Sequence, residues 1–146
     1  MLRGWARLGL GQLEEGLADI QSSIRALEKT GTRIWMQFSH YLLARALAAD
    51  RQWSKAAEVV DQLLPEIKAG GGRWYESEVI RLRGDILLGQ RKPVSEVAAC
   101  YESAVALARR QGARMWEIKA TESLEALREG GTGHKAGIEQ KHSVNI

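Results

Sequence analysis

A single cysteine, Cys100, serves the whole 146-residue chain, so no internal disulfide can form and a reducing compartment, the cytoplasm, is the expected home. Proline is nearly absent: Pro65 and Pro93 both fall near predicted helix ends or between helices. β-Branched residues are thin, which argues against a sheet. No apolar run approaches the ~20 residues of a membrane-spanning helix; the stretch from Tyr41 to Ala49 is short and broken by Arg45. The opening Met1-Leu2-Arg3-Gly4-Trp5 lacks the apolar segment of a secretory signal. No block of like charge occurs either. The formal net charge of +3 is spread over 21 basic and 18 acidic side chains, as on a solvated helical surface.

Reactive groups are equally sparse. His40 sits within a predicted helix, and His134 and His142 lie eight apart in a glycine-rich tail with no cysteine nearby, a poor pattern for a metal site. Cys100 has Tyr101 beside it and no histidine at a recognisable spacing, so it is expected to be a small buried thiol. Glu14 with Glu15, and Glu76 with Glu78, are carboxylate pairs of the kind exposed helices carry, with nothing else to support acid–base work. No Gly-x-x-x-x-Gly-Lys-Ser/Thr loop exists. The expectation is no enzyme, no cofactor and no metal.

What the chain does have is repetition. Gly31-Thr32-Arg33-Ile34-Trp35 returns as Gly71-Gly72-Arg73-Trp74-Tyr75 and again as Gly112-Ala113-Arg114-Met115-Trp116, at intervals of 40 and 41 residues. The apolar stripe Leu13, Leu17, Ile20, Ile24, Leu27 reappears at the same shift as Trp53, Ala57, Val60, Leu64, Ile67 and then as Val94, Ala98, Tyr101, Val105, Ala108. Gly4, Ala44 and Gly84 recur 40 apart inside apolar segments, where a small residue permits close backbone approach. A phrase returning at such a period marks units that must stack to bury their apolar faces.

The pattern predicts seven helices over about 2–10, 13–29, 33–49, 53–69, 73–89, 94–111 and 114–129. Gly31, Gly70 to Gly72, and Gly112 each follow a long helix, where a left-handed residue closes the last turn. Asp50-Arg51-Gln52 and Gly89-Gln90-Arg91-Lys92-Pro93 are short polar turns between antiparallel helices. Residues 1–129 form one helical domain, and 130–146 read as a disordered C-terminal tail.

The pairing of a small residue with a bulky one four positions later, Gly16 with Ile20, Ala56 with Val60 and Val97 with Tyr101, resembles tetratricopeptide-like (TPR-like) repeats, with Gly4, Ala44 and Gly84 matching the small residue of the first helix. The period of about 40 exceeds the usual 34. The Leu-Gly pair of those repeats is replaced by Arg3-Gly4, Leu43-Ala44 and Arg83-Gly84. Arg73 to Glu78, Arg81 to Leu88 and Ala99 to Gly112 look like the long-repeat variety found C-terminal to the ATPase module of bacterial nucleotide cyclases and transcriptional regulators. The resemblance implies an all-α, right-handed α-solenoid of antiparallel hairpins, acting as a non-catalytic protein-interaction or scaffold module, a fragment of a signalling ATPase or regulator. The alternative is a regulatory domain that binds a small effector between helices. A third reading is a truncated remnant without retained activity.

On this reading Gly31, Arg33, Trp35, Gly71, Arg73, Tyr75, Gly112, Arg114 and Trp116 are structural joint residues. Arg33, Arg73 and Arg114 beside aromatics are also what a single-strand nucleic-acid surface would show. Stacking on the aromatics, or pairing with Glu76 and Glu117 three residues on, is the preferred account. Most tryptophans are expected in the core or joints, with Trp5 and Trp74 off the stripe and available for contact. The resemblance places Trp5, Tyr41, Arg45, Glu78, Arg81 and Asp85 on a concave face that takes a protein or peptide partner. Leu2, Trp5, Leu8 and Leu10 at one end, and Leu124 and Leu127 at the other, would be uncapped, by truncation or for self-association.

Overall fold

A computed structural model describes residues 2–70 and 72–130; Gly71 and the predicted tail from residue 131 lie outside the described residues. Those described are helix and turn throughout: α1 (Leu2–Gly9), α2 (Leu13–Thr30), α3 (Arg33–Ala49), α4 (Trp53–Gly70), a 3-10 turn (Arg73–Tyr75), α5 (Glu76–Gly89), α6 (Val94–Gln111) and α7 (Arg114–Gly130). The all-α expectation holds. The predicted helix over 73–89 is modified, because its first turn winds as 3-10 before α5 begins. Pro65 lies inside α4, which continues to Gly70. Pro65 and Asp61 are both exposed, so the carbonyl left without an amide donor faces water.

Local chemistry fixes the helix ends. Glu14 and Glu15 in the first turn of α2 and Lys29 in its last complement the helix dipole, as do Glu96 and Arg109-Arg110 on α6. Gly31 and Gly112 close these two helices with φ of 71° and 66°, the left-handed conformation glycine adopts without penalty. The turns inside the hairpins repeat as well, which the sequence reading missed. Gly11, Arg51 and Arg91, each 40 residues apart, all have positive φ. The residue after each donates its N–H to a carbonyl five back: Gln12 to Arg7 (2.9 Å), Gln52 to Leu47 (2.9 Å) and Lys92 to Leu87 (3.0 Å). Two arginines thus occupy a position whose natural occupant is glycine.

Each helix packs on its neighbours in the chain; α3 also touches α5, and α5 touches α7. The repeated stripe supplies much of the core through Leu17, Ile20, Ile24, Val60, Leu64, Ile67, Tyr101 and Ala108, while Val94 is exposed. The small-residue row sets how closely helix pairs approach. A Cβ on Gly4 would lie 2.9 Å from the Gly16 carbonyl and 3.0 Å from Ile20, and one on Gly84 would lie 2.5 Å from the Tyr101 ring. Ala44 holds the same place in the repeat, Val60 holds that of Ile20 and Tyr101, and both are fully buried in one core cluster. Side-chain size on one helix is traded against size on the next.

The ends differ from expectation. Leu124 and Leu127 are buried against Val97 and Tyr101, because they face back onto α6 rather than outward. Leu8 packs on the core and Leu10 is exposed; the side chains of Leu2 and Trp5 lie outside the described ones. On α7 the outward apolar residues are Met115 and Ile118.

Candidate functional site

Glu78, Arg81 and Asp85 stand three and four residues apart on α5, a spacing that puts them on one helix face. That face meets α3, α6 and α7. The Arg81 guanidinium donates Nε to Glu78 Oε2 and Nη2 to Glu78 Oε1, both at 2.8 Å, a bidentate pair. Its Nη1 donates to Asp85 Oδ2 at 2.8 Å and to Ser123 Oγ of α7 at 3.3 Å. The carboxylates accept the outer bonds: Tyr41 of α3 donates to Glu78 at 3.1 Å and Tyr101 of α6 donates to Asp85 at 2.6 Å. One guanidinium and two carboxylates therefore tie four helices together.

The electrostatics fit a lock. Burial pushes the Glu78 carboxyl up, but hydrogen bonds and charge from Arg81, with Lys119 and Arg45 further off, outweigh it and hold the group below the usual carboxylate range. Burial opposes the Arg81 charge, yet Asp85 and Glu78 keep its pKa above the ordinary arginine value. Burial, and then the neighbouring carboxylate, holds the Tyr41 and Tyr101 hydroxyls above the ordinary phenol value. Each shift runs away from neutrality, opposite to what proton transfer at pH 7 asks of a side chain.

Five of the six predicted groove residues come together here, though not as an open surface. Tyr41 and Glu78 are buried, and the Arg81 and Asp85 side chains are mostly covered. Arg45 is half-buried with its guanidinium 5.7 Å from the centre of the Tyr41 ring. The Trp5 side chain is outside those described. Sequence reasoning missed Phe38, Tyr101, Lys119 and Ser123. A signal existed: Phe38, Glu78 and Lys119 are related by the repeat shifts of 40 and 41, so the row was readable across α3, α5 and α7.

Around the lock lies an aromatic cluster. Phe38 stacks on Trp74 (5.7 Å, 29°) and meets Tyr75 edge-on (5.6 Å), while Tyr41 lies 5.7 Å from Phe38. Tyr75 is buried, and burial followed by the Glu66 charge raises its phenol to about 12. Trp74 is 56% exposed. So is Trp35, at 54%, which corrects its expected role as joint packing. The third joint aromatic, Trp116, is half-buried beneath Lys119, whose Nζ lies 5.3 Å from the ring centre. Arg33, Arg73 and Arg114 are exposed. Arg73 reaches Glu76 at 3.6 Å as expected, but Glu117 pairs with Arg109 at 2.8 Å rather than with Arg114.

Two open grooves lie elsewhere. One of about 480 Å³ is floored by Leu17, Leu43, Leu47 and Val59, with Asp50 and Glu58 on its rim. The other, about 340 Å³, combines Leu64 and Ile80 with Lys68, Arg83, Ser103 and the half-buried Cys100, whose thiol burial pushes up. Among the described residues no three His, Cys, Asp or Glu side chains are grouped to hold a metal, and no helix is long and apolar enough to cross a membrane. No protein-family model, curated protein or solved structure matches the chain.

Proposed function

We propose that the chain is a right-handed α-solenoid of TPR-like hairpins working in the cytoplasm as a non-catalytic protein-interaction module, of the kind that follows the ATPase part of bacterial signalling proteins. The observation that carries this reading is the face shared by α3, α5 and α7. Its polar residues are bonded across helices, which makes it stiff, and it leaves Trp74 exposed on Phe38 as an aromatic contact point. A stiff face with a large, low-entropy aromatic anchor suits recognition of an extended or helical segment of another protein.

The effector-binding alternative asks for a cavity lined by Trp or Tyr with an arginine awaiting a ligand. Arg81 has its partners already, neither groove is lined by Trp or Tyr, and Arg83 in the smaller groove pairs with Asp61 at 3.3 Å. Capture of a partner from native lysate by immobilised protein tests the proposal. Trp74→Ala should lose that partner while retaining the far-UV circular dichroism of the wild type. Undiminished capture by Trp74→Ala refutes the assigned face.

A further inference from the structure

The lock uses up Arg81, Glu78 and Asp85 on one another, yet two cations beside it are left over. Arg45 on α3 and Lys119 on α7 flank the buried carboxylate of Glu78 from opposite helices, close enough for each to lower its pKa. Neither stands in an ion pair with any described residue; each rests on an aromatic ring, Arg45 on Tyr41 and Lys119 on Trp116. Lys119 lies one turn before Ser123, the hydroxyl that accepts from Arg81, so it borders the same face. Arg45, Arg81 and Lys119 stand against Glu78 and Asp85, with the exposed Glu122 taking on α7 the place of Arg81 in the repeat register, so the positive charge open to a ligand is local to Arg45 and Lys119. The exposed Trp74, in the 3-10 turn ahead of α5, connects to it through Phe38, which stacks on Trp74 and packs against Tyr41.

Resting on the interaction-module reading, we propose that the occupant of this face is an acidic peptide segment whose carboxylates pair with Arg45 and Lys119 while an apolar side chain lies against Trp74 and Phe38. A cation stacked on an aromatic face is already held in place and desolvated on one side, so it loses little freedom on accepting a carboxylate. Arg45 offers a bidentate fork and Lys119 a point charge. Two available cations suit a short acidic peptide better than a nucleic acid, whose binding rests on neutralising several phosphates in succession.

The test uses fluorescein-labelled peptides titrated into the full chain: an alternating Glu/Leu hexapeptide, its Gln/Leu and Lys/Leu counterparts, and a uridine hexanucleotide. The Glu/Leu peptide should bind tightest and weaken as salt rises. Arg45→Gln and Lys119→Gln should each weaken it roughly threefold to fivefold, as solvent-accessible ion pairs allow, and Arg45→Lys and Lys119→Arg should recover most of the loss. Both positions are half-buried at the rim, and circular dichroism of the glutamine variants checks the fold. Equal binding of the Gln/Leu peptide, indifference to both glutamine variants, or tighter Arg45- and Lys119-dependent binding of the oligonucleotide each overturns the proposal. If lysate capture depends on Trp74 yet ignores both cations and salt, the acidic occupant is wrong and the interaction module stands. If capture ignores Trp74 as well, both readings fall.

Discussion

Gly84→Ala is the sharpest probe of how α5 and α6 are fitted together. In an exposed helix interior the change would stabilise by about 1 kcal/mol, since alanine is the better helix former. Here the added Cβ would sit 2.5 Å from Cε1 and 2.8 Å from Cδ1 of Tyr101. Carbon atoms rest at about 3.5–4.0 Å, so the ring must retreat by about 1 Å. Tyr101 has no room to do so: it is 2% exposed, and its hydroxyl is anchored to Asp85 at 2.6 Å. Overpacking of this kind costs about 1–3 kcal/mol, and disturbing a hydrogen bond to a charged acceptor costs about 1.5–3 kcal/mol when the bond is lost outright. Set against the propensity gain, Gly84→Ala should lower stability by about 2 kcal/mol.

Urea unfolding followed by circular dichroism measures this as a fall in midpoint at constant slope. A second background separates the clash from any general intolerance of the helix. With Tyr101→Leu in place the ring is gone, and adding Gly84→Ala should now be neutral or restore up to about 1 kcal/mol. Stabilisation by Gly84→Ala in the wild-type background would refute the close approach of Tyr101 and with it the size-trading account of the row.

Three further outcomes follow from the same geometry. Glu78 has a folded pKa below its unfolded value of about 4.3, so its stabilisation is complete above about pH 5 and is lost as pH falls through the folded value. Acid unfolding of Glu78→Gln should therefore show a shallower decline below pH 5 than wild type, from a neutral-pH stability lower by about 3 kcal/mol; matching acid slopes count against the lock. Tyr75 is 1% exposed and its hydroxyl has no hydrogen-bond partner among the described residues. Tyr75→Phe should thus leave thermal stability unchanged or raise it by up to about 1 kcal/mol, and a loss above that would mean the hydroxyl is satisfied. Arg91 holds a left-handed conformation with φ of 58° and is exposed. Arg91→Gly should gain about 0.5–1 kcal/mol in urea unfolding, and a loss would show that the arginine side chain compensates for its backbone.

What was legible in the sequence was whatever repeats in one dimension. The stripe Leu17, Ile20, Ile24 and its copies gave the helices and their buried sides, and Gly31 and Gly112 gave two joints, because periodicity and left-handed closure are local properties. The turns at Arg51 and Arg91 escaped notice because arginine does not announce positive φ; only their 40-residue register with Gly11 does. The face residues Tyr41, Glu78, Arg81 and Asp85 were found as a group, but their burial was not. Burial there depends on α7 supplying Ser123 and on Tyr101 crossing from α6, contacts spanning 42 and 16 residues that composition does not express. Glu117 went to Arg109 rather than Arg114 for a related reason, since the end of α6 comes beside the start of α7 and offers a closer cation.

The same row that explains Gly84 also explains how α7 differs from its predecessors. Gly4, Ala44 and Gly84 are buried, and at Gly4 and Gly84 the following helix presses close. The position that continues the row on α7 is Glu125, which is exposed. Glu122 is exposed too, where Tyr41 and Arg81 reach across to the next helix pair. A carboxylate cannot replace a glycine against another helix backbone without desolvation and overlap, so the C-terminal half of α7 presents exposed carboxylates where its predecessors present a small-residue contact. Its N-terminal half keeps Met115 and Ile118 outward, and Ile118 occupies the place that Gln37 and Ser77 fill as buried residues. The outer side of α7 is therefore apolar at one end and acidic at the other.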